Sequence, residues 1–261
     1  MRFLVLGPLR VSDDYDALLP VPQARQRELL CIMLLHANEP VGSADLTRLL
    51  WGADVPDSGA GALRTHIWAL RRTLHPAKRL HKSGHGYRLH VLPGELDVAE
   101  FRLLAGQGQQ AMDEGDPGRA ARLLSRASRM WREPALADIP PTSAMRATTR
   151  RLLDERQAAS ETLTEARLAL GQHRELVPEL RAQTAADPAQ ERRWEHLILA
   201  LYRCGRRAEA LAAITQARQV LADGYGLDPG PELARLQRMV LADDPALKEA
   251  RRSMVRARLP G

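Results

Sequence analysis

Residues 58–91 read SGAGALRTHIWALRRTLHPAKRLHKSGHGYRLHV and contain neither aspartate nor glutamate. The stretch carries seven arginines and lysines and five of the eight histidines of the chain. Residues 1–57, by contrast, hold five arginines against eight acidic residues. The positive charge of this part of the chain is therefore concentrated in one segment, as expected for a surface that contacts a polyanion.

The first half of this stretch has the periodicity of an amphipathic helix. Four apolar residues are spaced 4, 3 and 4 apart and so share one helix face: Leu63, Ile67, Leu70 and Leu74. The other face carries polar, basic and aromatic side chains: Arg64, Thr65, Trp68, Arg71, Arg72 and His75. Ser58 is the candidate N-cap of this helix, and Pro76 is expected to end it.

The second half has the pattern of a β-hairpin. Two short segments, residues 79–82 and 87–92, flank Ser-Gly-His-Gly at 83–86, and glycines between alternating segments are typical of a tight turn. A basic helix followed by a basic hairpin is the layout of a winged helix. Its helix enters the DNA major groove, and its hairpin, the wing, lies along a neighbouring groove or the backbone. The alternative is a solvated helix and an ordinary hairpin, which the absence of acids over both elements disfavours.

Length and composition indicate two globular domains, and the net charge is compatible with a nucleic-acid partner. The chain has 261 residues, of which 44% are hydrophobic and 27% charged, which is enough for two domains with a core each. The net charge of +6 suits a polyanionic partner.

Cys31 and Cys204 form neither a disulfide framework nor a zinc motif, and the sequence has no signal-peptide pattern or membrane-length apolar run. We therefore expect a cytoplasmic protein with no membrane contact.

Residues 1–92 are predicted to contain short strands, three helices and the hairpin. The predicted strands are at 3–6, 9–11 and 17–21, the helices before the basic one at 22–38 and 43–51, and the loop between them and the basic helix at 51–57. Apolar stripes define the helices, whereas the loop holds glycine and proline and has no periodicity.

The second half of the chain is predicted to be all-helical and repetitive. Gly115, Gly171 and Gly205 each separate two helical patterns, and the last two are 34 residues apart, the tetratricopeptide period. A long helix is expected at 143–170 and a final one at 232–241. Such helical hairpins bury their apolar faces by stacking. The stack could equally bind a partner or serve as a rigid support for a dimer.

No pattern in the sequence indicates catalysis. There is no phosphate-binding loop and no dinucleotide fingerprint. Ser83 and His85 have no carboxylate near them in sequence to orient them as a nucleophile and base, and His85 and His90 have no cysteine or acid to complete a metal site. We therefore expect no enzymatic activity, no cofactor and no metal.

Seven motifs in order make the chain similar to the Streptomyces antibiotic regulatory protein (SARP) family. They are MRFLVLGPL at 1–9, LLWG at 49–52, HIWALRRTL at 66–74, GHGY at 84–87, WREPALAD at 131–138, LYRCGR at 201–206 and YGLDPGPEL at 225–233. The resemblance implies an OmpR/PhoB-type winged helix at 1–93, a bacterial transcriptional activator domain of tetratricopeptide-like helices at 94–245, and a basic tail at 246–261. The implied fold class is an α+β domain followed by an all-α domain.

The resemblance also implies site residues and partners. The implied DNA-binding residues are Arg64, Thr65, Trp68, Arg71 and Arg72 in the helix and Lys82, Ser83 and His85 in the wing. The loop implied to face RNA polymerase includes Trp51, Asp54, Val55 and Asp57. Relatives commonly have arginine at position 83 and glycine at 85, so Lys82 or His85 would have to replace that wing contact. Trp68 would either pack on the wing or touch thymine methyls, and its place on the polar face favours the second.

The function that follows is activation of transcription. Members of the family are cytoplasmic activators of secondary-metabolite gene clusters that bind direct repeats in double-stranded promoter DNA, as dimers on DNA, and recruit RNA polymerase holoenzyme. Larger relatives add a nucleotide-hydrolysing domain, and the resemblance does not imply regulation by ATP here. The alternative hypothesis is a tetratricopeptide adaptor whose basic segment binds an acidic protein.

Overall fold

The computed structural model describes residues 1–52, 54–74, 79–132, 134–139 and 142–247. His75, Pro76 and Lys78, and nearly all of the tail predicted at 246–261, lie outside these ranges. The chain divides into two compact units, one of residues 1–104 with 126–157 and one of residues 105–125 with 158–261. The domain boundary predicted at residue 93 stays a prediction.

The first unit contains two small antiparallel sheets. One pairs β1 (Arg2–Leu4) with β2 (Arg10–Ser12), and the other has the order β3-β5-β4, formed by β3 (Val41–Gly42), β4 (Leu80–Ser83) and β5 (Gly86–Leu89). The strand predicted at 17–21 is wrong, because Leu18 makes only an isolated bridge to Ser12 and is 71% exposed. Pro20 lacks the N–H that would extend a ladder there.

Three helices surround the second sheet, and the apolar face predicted for the third of them is confirmed. They are α1 (Ala24–Leu35), α2 (Ser43–Trp51) and α3 (Gly59–Thr73). The four residues of this predicted face are all buried: Leu63, Ile67, Leu70 and Leu74. Ser58 occupies the N-cap position, but its side chain makes no capping hydrogen bond, so the side-chain cap is wrong.

Residues 131–132 and 134–139 pack on the connection between β1 and β2. Arg132 N–H donates to the carbonyl oxygen of Leu6 (3.0 Å), and Leu136 N–H to that of Gly7 (2.9 Å). The Asp138 carboxylate accepts from Leu9 N–H at 2.9 Å. The motif that we assigned to the second domain is therefore structurally part of the first unit.

Asp97, the first residue of a helix, anchors the segment that follows β1. Its buried carboxylate accepts hydrogen bonds from the backbone N–H groups of Val5 (2.8 and 2.9 Å) and Leu6 (2.9 Å), and from Val98 (2.8 Å). Burial raises the pKa of Asp97, although the three N–H donors and Arg132 oppose the shift. The sequence did not indicate this role.

In the rest of the described chain the regular secondary structure is helical, as predicted. The helices are α4 (Asp97–Asp113), α5 (Pro117–Arg129), α6 (Ser143–Ala169), α7 (His173–Ala186), α8 (Glu191–Arg203), α9 (Arg207–Tyr225) and α10 (Pro231–Leu241). Within the described ranges, none of these helices combines the length and apolar composition needed to cross a bilayer.

The three glycines of the predicted repeat end their helices in the same way. Gly115, Gly171 and Gly205 have φ of 78°, 78° and 75°. The residue after each donates its N–H to the carbonyl oxygen five residues back, as in Asp116 to Ala111 (2.8 Å). This is the Schellman motif, which favours glycine at the left-handed position. The repeat seen in the sequence is therefore a repeat in the structure.

Candidate nucleic-acid interface

The outer face of α3 presents the basic residues expected there. Arg64, Thr65 and Arg72 are exposed, and Trp68 is 58% exposed. The Arg72 guanidinium carbon lies 4.9 Å from the centroid of the Trp68 ring, so the two side chains form one cation–π pair at the surface. Trp68 thus presents most of its surface to solvent.

Arg71 differs from its neighbours on α3. Its side chain is half-buried, and its Nε donates to the carbonyl oxygen of Leu80 at 2.7 Å. The guanidinium carbon also lies 5.9 Å from the centroid of the Tyr87 ring. Arg71 therefore reaches the wing rather than pointing away from the protein as the helical periodicity predicted.

The wing is the β4–β5 hairpin, and its tip is exposed. Lys82 and His85 are exposed and Ser83 is half-buried. Gly84 at the tip has φ of 57°, a conformation that favours glycine. Next to the wing, an open groove between α3 and β5 is lined by Gly61, Arg64, Thr65, Ile67, Trp68, Arg71 and Tyr87. This groove joins the two predicted DNA-contacting elements, and among the described residues that line it none is acidic.

One cation of this segment is not available to a polyanion. Arg79 is only 15% exposed and forms two contacts with the Glu95 carboxylate, at 2.6 and 2.7 Å. Burial alone would raise the pKa of Glu95, but Arg79, Leu92 N–H and the N-terminal ammonium together lower it. Glu95 therefore stays charged and neutralises Arg79, so the available charge is smaller than the sequence count.

The loop expected to face RNA polymerase is exposed except at its start. Trp51 is the last residue of α2, is half-buried, and its ring centroid lies 6.2 Å from that of His66. Asp54, Val55 and Asp57 are exposed. Trp51 therefore supports α3, and the accessible part of the loop, among the described residues, is 54–57.

Comparisons with known proteins match both parts of the chain. The family model described as "Bacterial transcriptional activator domain" matches residues 96–241, and that described as "Transcriptional regulatory protein, C terminal" matches residues 22–89. Because the latter range includes α1–α3 and the wing, the surface described above lies within a recognised regulatory domain.

The chain is also similar to curated regulators over nearly its whole length. It is 40% identical to Regulatory protein AfsR of Streptomyces coelicolor over 250 residues, covering 95% of this chain but 25% of that relative. It is 32% identical to Regulatory protein DnrI of Streptomyces peucetius over 257 residues, covering 95% of this chain and 94% of the relative. The chain thus spans about a quarter of AfsR and nearly all of DnrI.

A solved structure shows the same fold. The structure of Mycobacterium tuberculosis EmbR in complex with a low-affinity phosphopeptide matches with a TM-score of 0.90 and 31% identity, over 95% of this chain and 67% of that one. The predicted fold class, a winged helix followed by a helical activator domain, is therefore confirmed. The chain belongs to the Streptomyces antibiotic regulatory protein (SARP) family of transcriptional regulators.

Proposed function

We propose that the chain is a cytoplasmic activator that binds direct repeats in promoter DNA and recruits RNA polymerase holoenzyme to a secondary-metabolite gene cluster. The observation that carries the proposal is the exposed basic surface shared by α3 and the wing, in a chain of this family. A helix with exposed arginines and a tryptophan suits the major groove, where arginine can bind guanine in a bidentate manner and an apolar ring can contact a thymine methyl.

The proposed contacts divide between the two elements. Arg64, Thr65, Trp68 and Arg72 face the major groove, and Lys82, Ser83 and His85 lie along the adjacent groove or backbone. Lysine and arginine contacts to phosphates displace counterions from DNA, so binding should weaken steeply with salt, with a slope of about −0.9 per neutralised phosphate. This dependence is the first test of the function.

Replacing Arg72 with alanine should weaken binding to a specific duplex by about 1–3 kcal/mol if Arg72 contacts a base. Its exposed position means that the midpoint of thermal unfolding should hardly change. The probe is a duplex selected by the full chain from a randomised pool, compared with a scrambled duplex by fluorescence anisotropy. An equal loss on both duplexes would show a phosphate contact, and no loss would place Arg72 outside the interface.

Direct repeats imply two copies related by translation along the DNA. Sites about one helical turn apart, or about 10–10.5 base pairs, place both α3 helices on the same face of the duplex. Two copies of the activator domain would then repeat with the same spacing and stabilise a dimer on DNA. Footprinting that protects tandem sites supports this arrangement, whereas protection of an inverted repeat contradicts it.

The loop after α2 is the proposed contact with polymerase. Asp54 and Asp57 are exposed, and carboxylates at the DNA surface would repel phosphate, so these residues fit a partner other than DNA. Replacing both with alanine should leave affinity for the selected duplex nearly unchanged and reduce transcription by purified polymerase from a template carrying that duplex. Lost DNA affinity with normal transcription at saturating protein would instead place the loop in the DNA interface.

A further inference from the structure

The contacts of Arg71 connect the two elements of the proposed DNA interface. Arg71 lies in the last turns of α3, and Leu80 is the first residue of β4. The Nε–H···O bond between them, at 2.7 Å, is part-buried. Tyr87, which the Arg71 guanidinium approaches, lies on β5. One side chain of α3 therefore contacts both strands of the wing.

The other arginines of α3 make no such link. Arg72 stacks on Trp68 within the same helix. Arg64 is exposed, and among the described residues it has no hydrogen bond or ion pair. These two side chains can reorient towards a ligand without disturbing the fold, whereas Arg71 would have to release the Leu80 carbonyl to use its Nε–H elsewhere.

We propose that Arg71 is a positioning residue that holds the wing against α3, so that both elements meet DNA at a fixed separation. The proposal rests on the proposed function and changes the role of Arg71 from a DNA contact to an internal brace. A hydrogen bond from a charged donor to a part-buried carbonyl is among the stronger ones in proteins. Without this hydrogen bond the wing would be less ordered in the free protein. The entropy cost of ordering it on binding would then lower the affinity for DNA.

Three variants separate a brace from a phosphate contact. Glutamine places Nε2 the same number of bonds from the backbone as arginine Nε and keeps an N–H donor without charge. Lysine keeps the charge, but its ammonium is one bond further out and is not a planar donor. Alanine keeps neither. Arg71→Gln therefore preserves the bond to Leu80, and Arg71→Lys preserves the attraction to phosphate.

The experiment measures affinity for the selected duplex at several salt concentrations, with the full chain and with the three variants. We expect Arg71→Ala and Arg71→Lys to bind about tenfold or more weakly and Arg71→Gln to bind within about threefold of the unmodified chain. The slope of log affinity against log salt should be unchanged in all three. Hydrogen exchange of residues 80–89 without DNA should be faster in the alanine and lysine variants alone.

Glutamine is the decisive substitution. Two results would overturn the positioning role in favour of a phosphate contact. One is that Arg71→Gln binds as weakly as Arg71→Ala. The other is that the salt slope loses about 0.9 of its magnitude in both variants. Unchanged binding by Arg71→Ala would also overturn the positioning role. If the alanine variant does not fold, the affinities and salt slopes of Arg71→Lys and Arg71→Gln are compared instead. Weaker binding by the lysine variant supports the positioning role, and weaker binding by the glutamine variant contradicts it.

The control is Arg64→Ala, which removes an exposed arginine from the same helix. If Arg64 contacts a phosphate, the substitution should reduce the magnitude of the slope of log affinity against log salt by about 0.9. If the unmodified chain binds no duplex in a salt-dependent way, the proposed function itself fails. If the chain and the Arg64 variant behave as expected but Arg71→Gln does not, only the brace fails.

Discussion

Replacing Gly86 with alanine should prevent the winged helix from forming its second sheet. A Cβ on residue 86 would overlap the Val41 carbonyl oxygen, and it would lie 2.6 Å from the carbonyl carbon and 2.7 Å from Gly42 Cα. All three are backbone atoms of β3, which pairs with β5 at this point. Because no flexible side chain can move away, the two strands must separate. We expect a loss of more than about 3 kcal/mol of stability, beyond ordinary overpacking.

Gly84→Ala is the matched control, two residues away at the wing tip. Gly84 has φ of 57° and open space around its Cβ position, so alanine meets backbone strain of about 1–2 kcal/mol but no clash. Urea unfolding followed by circular dichroism, together with binding to the selected duplex, measures both variants. Equal losses in the two would show that close approach of β3 is not the reason for glycine at 86.

Replacing Asp97 with alanine should have the second large effect. The substitution leaves the buried N–H groups of Val5 and Leu6 without their acceptor. Each buried donor without a partner costs about 1–3 kcal/mol, so we expect a loss of about 2–6 kcal/mol in total. Arg132, 3.8 Å from the carboxylate, would also lose a partner of opposite charge.

Hydrogen exchange at Val5 and Leu6 is the direct measurement, because the amides that lose their acceptor should exchange fastest. Asp113→Ala is the control, since Asp113 is the exposed last residue of the same helix, α4. A surface change of this kind should stay within about 0.5 kcal/mol. If the two variants are equally stable, Asp97 does not anchor the N-terminal strands.

Local patterns were sufficient to predict the elements and most of their faces. Leu63, Ile67, Leu70 and Leu74 are buried as their spacing indicated, because a helix places residues three and four apart on one side. The glycines at 115, 171 and 205 all end helices, because few other residues adopt a left-handed conformation without strain. The composition of 58–91 likewise indicated a basic surface, and among the described residues of this stretch the exposed arginines and lysine lie on α3 and the wing.

Contacts between residues distant in sequence could not be predicted in this way. Asp97 and Val5 are 92 residues apart, and nothing periodic connects them. The charge count of the basic segment included Arg79, which the structure pairs with Glu95. Helical spacing predicted that Arg71 points away from the protein, whereas its Nε donates a hydrogen bond to the Leu80 carbonyl oxygen. A sequence determines which side chains share a face of one element through backbone geometry. Which donors and acceptors meet depends on how separate elements pack, and only the tertiary structure decided that.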